Sequence, residues 1–312
     1  MTSDVSVAVI IAAHNEERYL PETLDSLRKQ TLGMENLEII LIDDASTDAT
    51  LTIFKDFQKE APHCVVEHVE YRNIGKVRNV GIDKATAPFL LFLDGDDLLA
   101  PNACEQMLET LHSTHCDMVM TPLYRFSEKD GSIDFTKAQI GTVTIETSKK
   151  IWEMLLEHRK VMGHLIGRLF SRHLFSSLRF PPMLCYEDVY LFPDILEKTE
   201  KVAIYDAPLY FYRLRQGSVS STLTNDKACL MFDVLEKFRT RVSSEKQRRL
   251  FEAMCVGRCA IMSDHVADLS DENRERIRAL ISAIPVWKYL ISPTVRTSRK
   301  RLFLRLKRAF QA

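Results

Sequence analysis

The sequence predicts an α/β protein with a mixed, mostly parallel sheet, followed by a helical C-terminal region. Apolar runs rich in β-branched residues alternate with segments of helical spacing through the first half of the 312-residue chain, as in layered α/β folds. Acidic residues follow two of the predicted strands directly. From Asp226 onward the apolar residues recur at helical spacing alone. We therefore expect a domain at residues 1–222 and a helical region at residues 223–312.

The strands of the first half are predicted as continuous apolar runs, which are typical of strands buried on both faces of a parallel sheet. They are expected at residues 5–13, 37–42, 65–69, 88–93 and 117–124. Between them, a helix is predicted at residues 17–30. A second helix follows the capping residues Ser46, Thr47 and Asp48. Residues 73–81 are read as a loop entering a short helix, and Pro101 begins the helix after the fourth strand.

The second half is less regular before it becomes helical. Residues 127–141 are polar and rich in turn formers. Helices are predicted at 151–156 and 187–196, and short strands at 202–205 and 209–212. The remaining helices are expected at 228–242, 247–262 and 272–284.

Composition narrows the class of protein. The formal net charge is -1, so no overall field favours nucleic acid. Seven cysteines at scattered spacings include no C-x-x-C pair, which disfavours both zinc and a disulfide framework. The chain leads directly into a strand, and no apolar stretch has the length of a membrane span. We expect a reducing, cytoplasmic location.

The turn Asp94-Gly95-Asp96-Asp97 follows the apolar run at residues 89–93. Carboxylates this close repel one another, so the cluster predicts a bound cation. Asp43-Asp44 ends the second strand, and in a parallel sheet both acidic sites lie at one edge, where α/β proteins bind ligands. The alternative is that Asp43 and Asp44 serve as ordinary turn and capping residues.

The motifs that are absent restrict the ligand. The turn after the first strand lacks G-x-G-x-x-G, and Gly75-Lys76 is not a P-loop. Carboxylate oxygens favour Mg²⁺ or Mn²⁺, which bind with few protein ligands together with substrate phosphates. A nucleoside diphosphate bound through the metal is the simplest hypothesis. Lys76 and Arg78 would then contact phosphate, or alternatively belong to a solvated loop. Glu187-Asp188 at a helix start can also be explained by the helix dipole.

Taken together, several segments resemble glycosyltransferase family 2, the inverting transferases of the GT-A fold. The resemblance is ordered along the chain over about residues 5–222 and is carried by residues 9–16, 42–48, 78–82, 92–97, 186–188 and 208–218. Within the family, residues 75–79 and the helical C-terminal part are similar to bacterial transferases that decorate wall teichoic acid or capsule polymers. Ala12 and His14 depart from the family pattern, which has Pro or Thr and an aromatic there.

The resemblance implies roles for individual residues. Asp188 would be the general base, with Glu187 orienting sugar or acceptor. Asp96 and Asp97 would hold Mn²⁺ or Mg²⁺ against the diphosphate. The implied donor-binding residues are Ala12, His14, Glu16, Asp44, Asn73, Lys76, Arg78, Asp94, Arg215 and Ser218. Asp44 would accept a hydrogen bond from the base, as expected for uracil, Asn73 and Arg78 would lie near the base and ribose, and Lys76 would lie near the phosphates. Asp94 would contact the ribose or support a residue that does, and Arg215 and Ser218 would belong to a loop that covers the diphosphate.

The expected reaction is transfer of a hexose or N-acetylhexosamine from a UDP-sugar, with inversion. The acceptor would be a hydroxyl of a cell-surface polysaccharide, teichoic acid or lipid-linked glycan. One alternative is a GT-A-like module that binds nucleotide sugar or polymer without catalysis. A nucleotidyltransferase is a second alternative, but it would need a basic glycine-rich loop after the first strand.

The C-terminus is basic. Residues 296–310 place Leu302, Phe303, Leu306 and Phe310 at helical spacing among basic residues, and no acidic residue follows Trp287. A basic amphipathic helix predicts peripheral contact of residues 294–312 with an anionic membrane, at the inner face of the cell membrane, or with a polyanionic acceptor. The alternatives are a solvated tail and a contact with a second copy of the chain.

Overall fold

A computed structural model describes residues 5–127, 129, 133–138, 141–215, 222–265 and 269–311. The strands are β1 Val7–Ala13, β2 Leu37–Asp44, β3 Cys64–Val69, β4 Phe89–Asp94, β5 Leu98–Leu99, β6 Met118–Met120, β7 Leu123–Phe126, β8 Val143–Thr147, β9 Arg168–Ser171, β10 Lys201–Tyr205 and β11 Tyr210–Arg213. The helices are α1 Leu20–Arg28, α2 Thr50–Gln58, α3 Ile74–Lys84, α4 Ala103–Thr114, α5 Ser148–Glu157, α6 Glu187–Glu197, α7 Asn225–Arg239, α8 Glu245–His265, α9 Asp271–Ser282, α10 Val286–Ile291 and α11 Thr297–Gln311.

The chain divides into two compact units. The first contains Met1–Ser148 and His164–Gln216, and the second contains Lys149–Gly163 and Gly217–Ala312. Helix α5 therefore belongs mainly to the second unit, although it precedes much of the first in sequence. Within that unit the Trp152 ring lies edge-on to Phe238 at 5.1 Å. The predicted division at residue 222 assigned residues 149–163 to the first domain, whereas the structure groups them with the second unit.

The described residues of the first unit form one large sheet and one small sheet. The large sheet has the strand order β3-β2-β1-β4-β9-β6-β10-β8, with β3, β2, β1 and β4 mutually parallel. Strand β9 runs antiparallel to both its neighbours, and β8 is antiparallel to β10. The small sheet has the order β5-β11-β7. This mixed, mostly parallel arrangement confirms the predicted fold class.

Two predicted elements differ in the structure. The strand expected at residues 117–124 is two strands, because β6 pairs in the large sheet and β7 in the small one. Pro122 lies between them and has no amide hydrogen to donate to a ladder, which favours the break. Residues 73–81 belong largely to α3, a full helix that is capped by the Asn73 side chain on the amide of Lys76.

Strands β1 and β2 are buried along their whole length, as their apolar sequences predict. Helix α3 covers both. Gly81 permits its close approach, because a Cβ atom there would lie 2.3 Å from Cγ2 of Ile10. The acidic carboxyl ends of β2 and β4 are thus the points at which a buried sheet reaches a polar edge.

In the second unit, α11 confirms the helix that the C-terminal pattern predicts, but its apolar side is already used. Phe303, Leu306 and Phe310 are buried, and the helix packs against α8 and α9. These residues are therefore not available to insert into a membrane, which corrects the expected mode of contact. Among the described residues, no helix is both long and apolar enough to cross a bilayer.

We expect Gly81→Ala to destabilise the first unit by about 1–3 kcal/mol, because the added methyl group collides with the packed Ile10 side chain. The gain in helix propensity, about 1 kcal/mol, is too small to compensate. Urea unfolding of both proteins measures the difference.

Gly257→Ala in α8 is the matched control. There the added Cβ meets only the guanidinium end of Arg299, which can turn away. This variant should be as stable as the parent protein or more stable. Equal behaviour of the two variants would contradict the steric account of Gly81.

Candidate active site

The carboxyl ends of three adjacent strands bring the predicted acidic sites together. In the β1 ladder Ala12 pairs with Asp94 of β4, and Ala13 pairs with Asp43 of β2. The turns after these strands therefore lie side by side at one edge of the sheet. This register confirms that Asp43-Asp44 and the Asp94 turn share an edge.

The loops at this edge hold strained backbone. Asn15, Ala45, Arg72 and Tyr186 are non-glycine residues with φ between 46° and 64°, the left-handed region. They belong to the loops after β1 and β2 and those before α3 and α6. Each such residue costs on the order of 1 kcal/mol, and such strain clusters at functional sites.

A buried arginine joins the two acidic motifs of the chain. Nη2 of Arg78 donates to Oδ1 of Asp94 at 2.8 Å, and Nη1 donates to Oε1 of Glu187 at 2.6 Å. Arg78 is only 7% exposed, and although burial alone would lower its pKa, these carboxylates raise it. The structure thus places Arg78 between the acidic turn and α6, where it holds both. The hydrogen bond from Arg78 also fixes the position of the Asp94 carboxylate.

The acidic turn separates its carboxylates into two environments. Asp97 is 0% exposed: its Oδ2 accepts from the Tyr210 hydroxyl at 2.7 Å, and its Oδ1 accepts from the amide of Arg213 at 2.8 Å. Burial, with the charges of Asp94 and Asp96, raises the pKa of Asp97 well above its usual range. This geometry corrects the assignment of Asp97 to a metal, because no part of its carboxylate reaches the surface.

Asp96 lies nearer the surface and faces Arg215. The Arg215 guanidinium forms ion pairs with the carboxylates of Asp96 and Glu16. Burial, then the charge of Asp96, raises the pKa of Glu16 to about 7. Burial and the neighbouring Asp94 also raise the pKa of Asp96. The turn after β1, the acidic turn and the segment after β11 are thus connected through one guanidinium.

Arg213 is a residue that the sequence analysis missed. Its Nε donates to the main-chain oxygen of Asp96 at 2.7 Å, and its Nη2 donates to Glu22 at 2.8 Å. The guanidinium also lies over the Tyr19 ring, 5.0 Å from its centroid, and Arg215 lies over the same ring at 5.4 Å. Its position two residues before Arg215, at the end of a predicted strand, was a usable signal.

Asp44 and Asn73 organise the loop before α3. Asp44 accepts the amides of Tyr71 at 2.7 Å, Arg72 at 2.8 Å and Asn73 at 3.0 Å. The Asn73 side chain caps α3 and donates to the main-chain oxygen of Met183 at 3.2 Å. Both residues lie at the predicted edge, and their hydrogen bonds fix the conformation of the loop before α3.

Three of the other predicted donor-binding residues, His14, Ala12 and Lys76, belong to elements that reach this edge. Nδ1 of His14 is hydrogen-bonded to the main-chain oxygen of Asp44. Ala12 is buried in β1, so only its backbone can contribute to a pocket there. Lys76 is exposed, with its ammonium 5.9 Å from the centre of the Tyr71 ring. Ser218 lies outside the described residues.

Helix α6 presents Glu187 and Asp188 in its first turn. Burial, followed by the charge of Asp188, raises the pKa of Glu187 to about 7. Asp188 is partly exposed, and burial also raises its pKa. One turn later, Phe192 contacts the buried guanidinium of Arg168 at 3.9 Å from the ring centre. Arg168 is 1% exposed, and this burial lowers its pKa to about 9.

The acidic turn fits a divalent cation only in part. No group of three or more His, Cys, Asp or Glu side chains suited to a metal ion occurs among the described residues. Mg²⁺ and Mn²⁺ need fewer, because substrate phosphates and water complete their coordination. Asp96 meets that smaller requirement, and the guanidinium paired with it shows that this carboxylate attracts positive charge.

A cleft of about 540 Å³ also lies beside α1 in this unit, lined by residues that include Arg18, Tyr19, Phe126 and Arg213. It adjoins the acidic turn through Arg213 and through Leu98, the residue that follows Asp97. None of Asp44, Asp94 or Asp188 lines it. We therefore assign the candidate site to the strand edge and not to this cleft.

Comparison with known proteins identifies the family of the chain. Residues 8–173 match the sequence profile described as glycosyl transferase family 2. Glycosyltransferase GlyA of Streptococcus pneumoniae is 29% identical over 244 residues, which are 76% of this chain and 34% of that protein. The minor teichoic acid biosynthesis protein GgaA of Bacillus subtilis is 27% identical over 216 residues, 67% of this chain and 47% of that protein. This chain spans less than half the length of either relative.

A solved structure has the same fold. The crystal structure of S. aureus TarS 1-349 in complex with UDP-GlcNAc matches with a TM-score of 0.69 at 18% identity, over 98% of this chain and 88% of that one. TarS of Staphylococcus aureus is named a poly(ribitol-phosphate) beta-N-acetylglucosaminyltransferase, and it is 28% identical over 149 residues, 47% of this chain and 26% of that protein. The structural likeness confirms the predicted GT-A fold with a helical C-terminal region.

We expect Arg78→Lys to lower the free energy of unfolding by about 3 kcal/mol, because an ammonium cannot bridge both buried carboxylates as the guanidinium does. Arg28→Lys is the control, since the Arg28 ion pair with Glu60 is exposed and should contribute less than about 1 kcal/mol. Urea unfolding of both variants makes the comparison. Equal losses would show that the Arg78 bridge does not hold the site together.

Proposed function

Because the chain belongs to glycosyl transferase family 2, we propose that it transfers a sugar from a nucleotide-diphosphate donor to a hydroxyl group of an acceptor glycan or polymer. The observation that carries the proposal is the Arg78 bridge. It holds the acidic turn and the Glu187-Asp188 pair beside one another at the ligand-binding edge of the sheet. The acidic turn, which is proposed to bind the donor, and Asp188, the proposed general base, therefore lie close enough to act on one substrate.

The proposed donor is a UDP-sugar carrying a hexose or an N-acetylhexosamine. The TarS complex with UDP-GlcNAc supports this choice. Asp44 has one carboxylate oxygen that accepts a single amide, from Asn73, so it keeps acceptor capacity for a base N–H group. Asp94, which is fixed by its ion pair with Arg78, is the proposed contact to the ribose of the donor.

Asp188 is the proposed general base. A hydroxyl group is a poor nucleophile at neutral pH, and Asp188 takes its proton as the new glycosidic bond forms. Glu187 is paired with Arg78 and buried, so it orients its neighbour and does not itself accept this proton. A single base on the side opposite the leaving group implies one displacement with inversion.

Arg215 is the proposed partner of the departing diphosphate. The leaving group gains negative charge, which preorganised cations stabilise, and Arg215 already lies at the acidic turn. Mn²⁺ or Mg²⁺ held by Asp96 would supply further charge neutralisation at the diphosphate when bound. Arg213 keeps the turn in place through the main-chain oxygen of Asp96.

The proposed acceptor is a hydroxyl of a cell-surface polysaccharide, a teichoic acid or a lipid-linked glycan. The names of GgaA and TarS support a polyol-phosphate polymer within this set. We also propose a reducing, cytoplasmic location, which is supported by all seven cysteines being free thiols. A GT-A-like module that only binds donor or polymer remains the alternative, and turnover distinguishes the two.

We expect UDP release from at least one UDP-sugar when Mn²⁺ or Mg²⁺ is present, and loss of release with EDTA. Asp96→Asn should abolish the response to metal while leaving the melting temperature nearly unchanged. Asp97→Asn should instead lower stability, by about 1–3 kcal/mol, because its buried carboxylate accepts two hydrogen bonds.

A panel of UDP-sugars, assayed with added metal and with EDTA, measures this directly. Donor binding without release for every sugar and polymer offered would favour the non-catalytic module. Full activity in EDTA would remove the metal from the proposal but leave the transfer reaction standing.

We expect Asp188→Asn to reduce kcat by about 10²–10⁴-fold, because the amide cannot accept the proton of the acceptor. The base works in its ionised form, and burial raises the pKa of Asp188. Activity of the parent protein should therefore rise with pH and level off above the ordinary range of an aspartate. The variant should lose this dependence.

Asp271→Asn provides the control, because Asp271 occupies the first turn of α9 in the other unit. It should keep the rate and the pH profile of the parent protein. Near-normal turnover of Asp188→Asn would exclude Asp188 as the base.

A further inference from the structure

Helix α10 exposes large apolar side chains to solvent. Trp287 is 74% exposed and Ile291 is 56% exposed, and the two lie one turn apart on the same side of the helix. The other side is packed, because the fully buried ring of Tyr289 meets Phe303 of α11 at 4.7 Å. The helix is therefore anchored in the unit while presenting Trp287 and Ile291 outward.

Helix α11 exposes a basic stripe next in the chain. Arg301, Leu304, Arg305 and Arg308 are exposed at the spacing of one helical face. Arg305 forms an ion pair with Asp264 at 2.7 Å. From Trp287 to the end the chain contains no acidic residue, and the acidic residues of α8 nearest to it, Glu245 and Asp264, lie beside Lys288 and Arg305. Arg301 and Arg308 therefore supply most of the unpaired positive charge of this stripe.

We propose that the second unit docks on an anionic lipid bilayer through this α10–α11 surface, defined as Trp287, Lys288, Ile291, Arg301, Leu304 and Arg308. Trp287 and Ile291 enter the boundary between headgroups and acyl chains, and the basic residues contact anionic headgroups. The apolar anchor is α10, because the apolar residues of α11 are used inside the unit.

The apolar side chains favour a lipid surface over a soluble polyanion. A polyphosphate chain neutralises arginines but offers nothing to cover an aliphatic side chain such as Ile291. A bilayer satisfies both requirements at once. Charge complementarity and the exposed tryptophan therefore point to the same partner.

The tryptophan content makes the proposal directly measurable. The chain has two tryptophans. Trp152 is 7% exposed and Trp287 is 74% exposed, so Trp152→Phe leaves Trp287 as the only tryptophan, whose emission is excited selectively at the red edge of its absorption. We expect its emission to shift to shorter wavelength with phosphatidylcholine vesicles containing about one third phosphatidylglycerol, and not with pure phosphatidylcholine.

Co-sedimentation of the full chain with the same vesicles tests the residues. Trp287→Ala with Ile291→Ala should weaken binding at least about tenfold, whereas Ile145→Ala, at an exposed apolar residue of β8, should not. Arg301→Glu with Arg308→Glu should also weaken binding at least about tenfold. Lys55→Glu with Lys201→Glu makes the same change in net charge at exposed residues of the other unit, and should bind as the parent does.

Several outcomes would overturn the proposal. These are no emission shift with anionic vesicles, equal binding by the Trp287 and Ile291 variant, or equal losses from both charge-reversed pairs. Binding to a soluble polyol-phosphate polymer, with no shift on vesicles, would replace the bilayer by a polyanion. Circular dichroism of each variant verifies its folding, and none of the substituted residues belongs to the candidate active site.

Discussion

The buried fork of Arg78 is the interaction on which the candidate site depends. The consecutive elements α3 and β4 meet the distant helix α6 through it, and each contributes a charge that burial alone would not tolerate. Without the guanidinium, the carboxylates of Asp94 and the buried Glu187 would repel one another. The fork therefore does two things at once: it fixes the position of the Asp188 helix, and it allows a concentration of acidic groups to exist at the sheet edge.

The remaining carboxylates follow the same logic of local neutralisation. The buried carboxylate of Asp97 accepts hydrogen bonds from the Tyr210 hydroxyl and from a main-chain amide, and it stabilises the turn through these contacts. Asp96 and Glu16 are paired with Arg215, which belongs to the segment after β11. A donor diphosphate would compete with these carboxylates for Arg215. The acidic turn is thus a structural support on its inner side, and its outer side is the proposed ligand-binding surface.

Much of the fold could be read from patterns that are local in sequence. Continuous apolar runs gave the core strands, and the shared edge of Asp44 and Asp94 followed from parallel pairing alone. The reading failed where pairing partners decide the structure. Residues 117–124 look like one strand, but β6 and β7 join different sheets. Helix α5 lies with the C-terminal helices because of contacts such as Trp152 with Phe238, which no local pattern announces.

The sequence by itself determined the family, the fold class and the identity of the acidic and basic groups at the site, because these depend on residue types in order along the chain. Only the tertiary structure decided what each group does. It turned Asp97 inward and made Arg78 a bridge between Asp94 and Glu187. It also buried Phe303 and Leu306 while leaving Trp287 exposed. The physical reason is the same in each case. The burial of a side chain and the position of the nearest opposite charge depend on how the elements pack, and the spacing of residues along the chain does not specify which residues become neighbours in space.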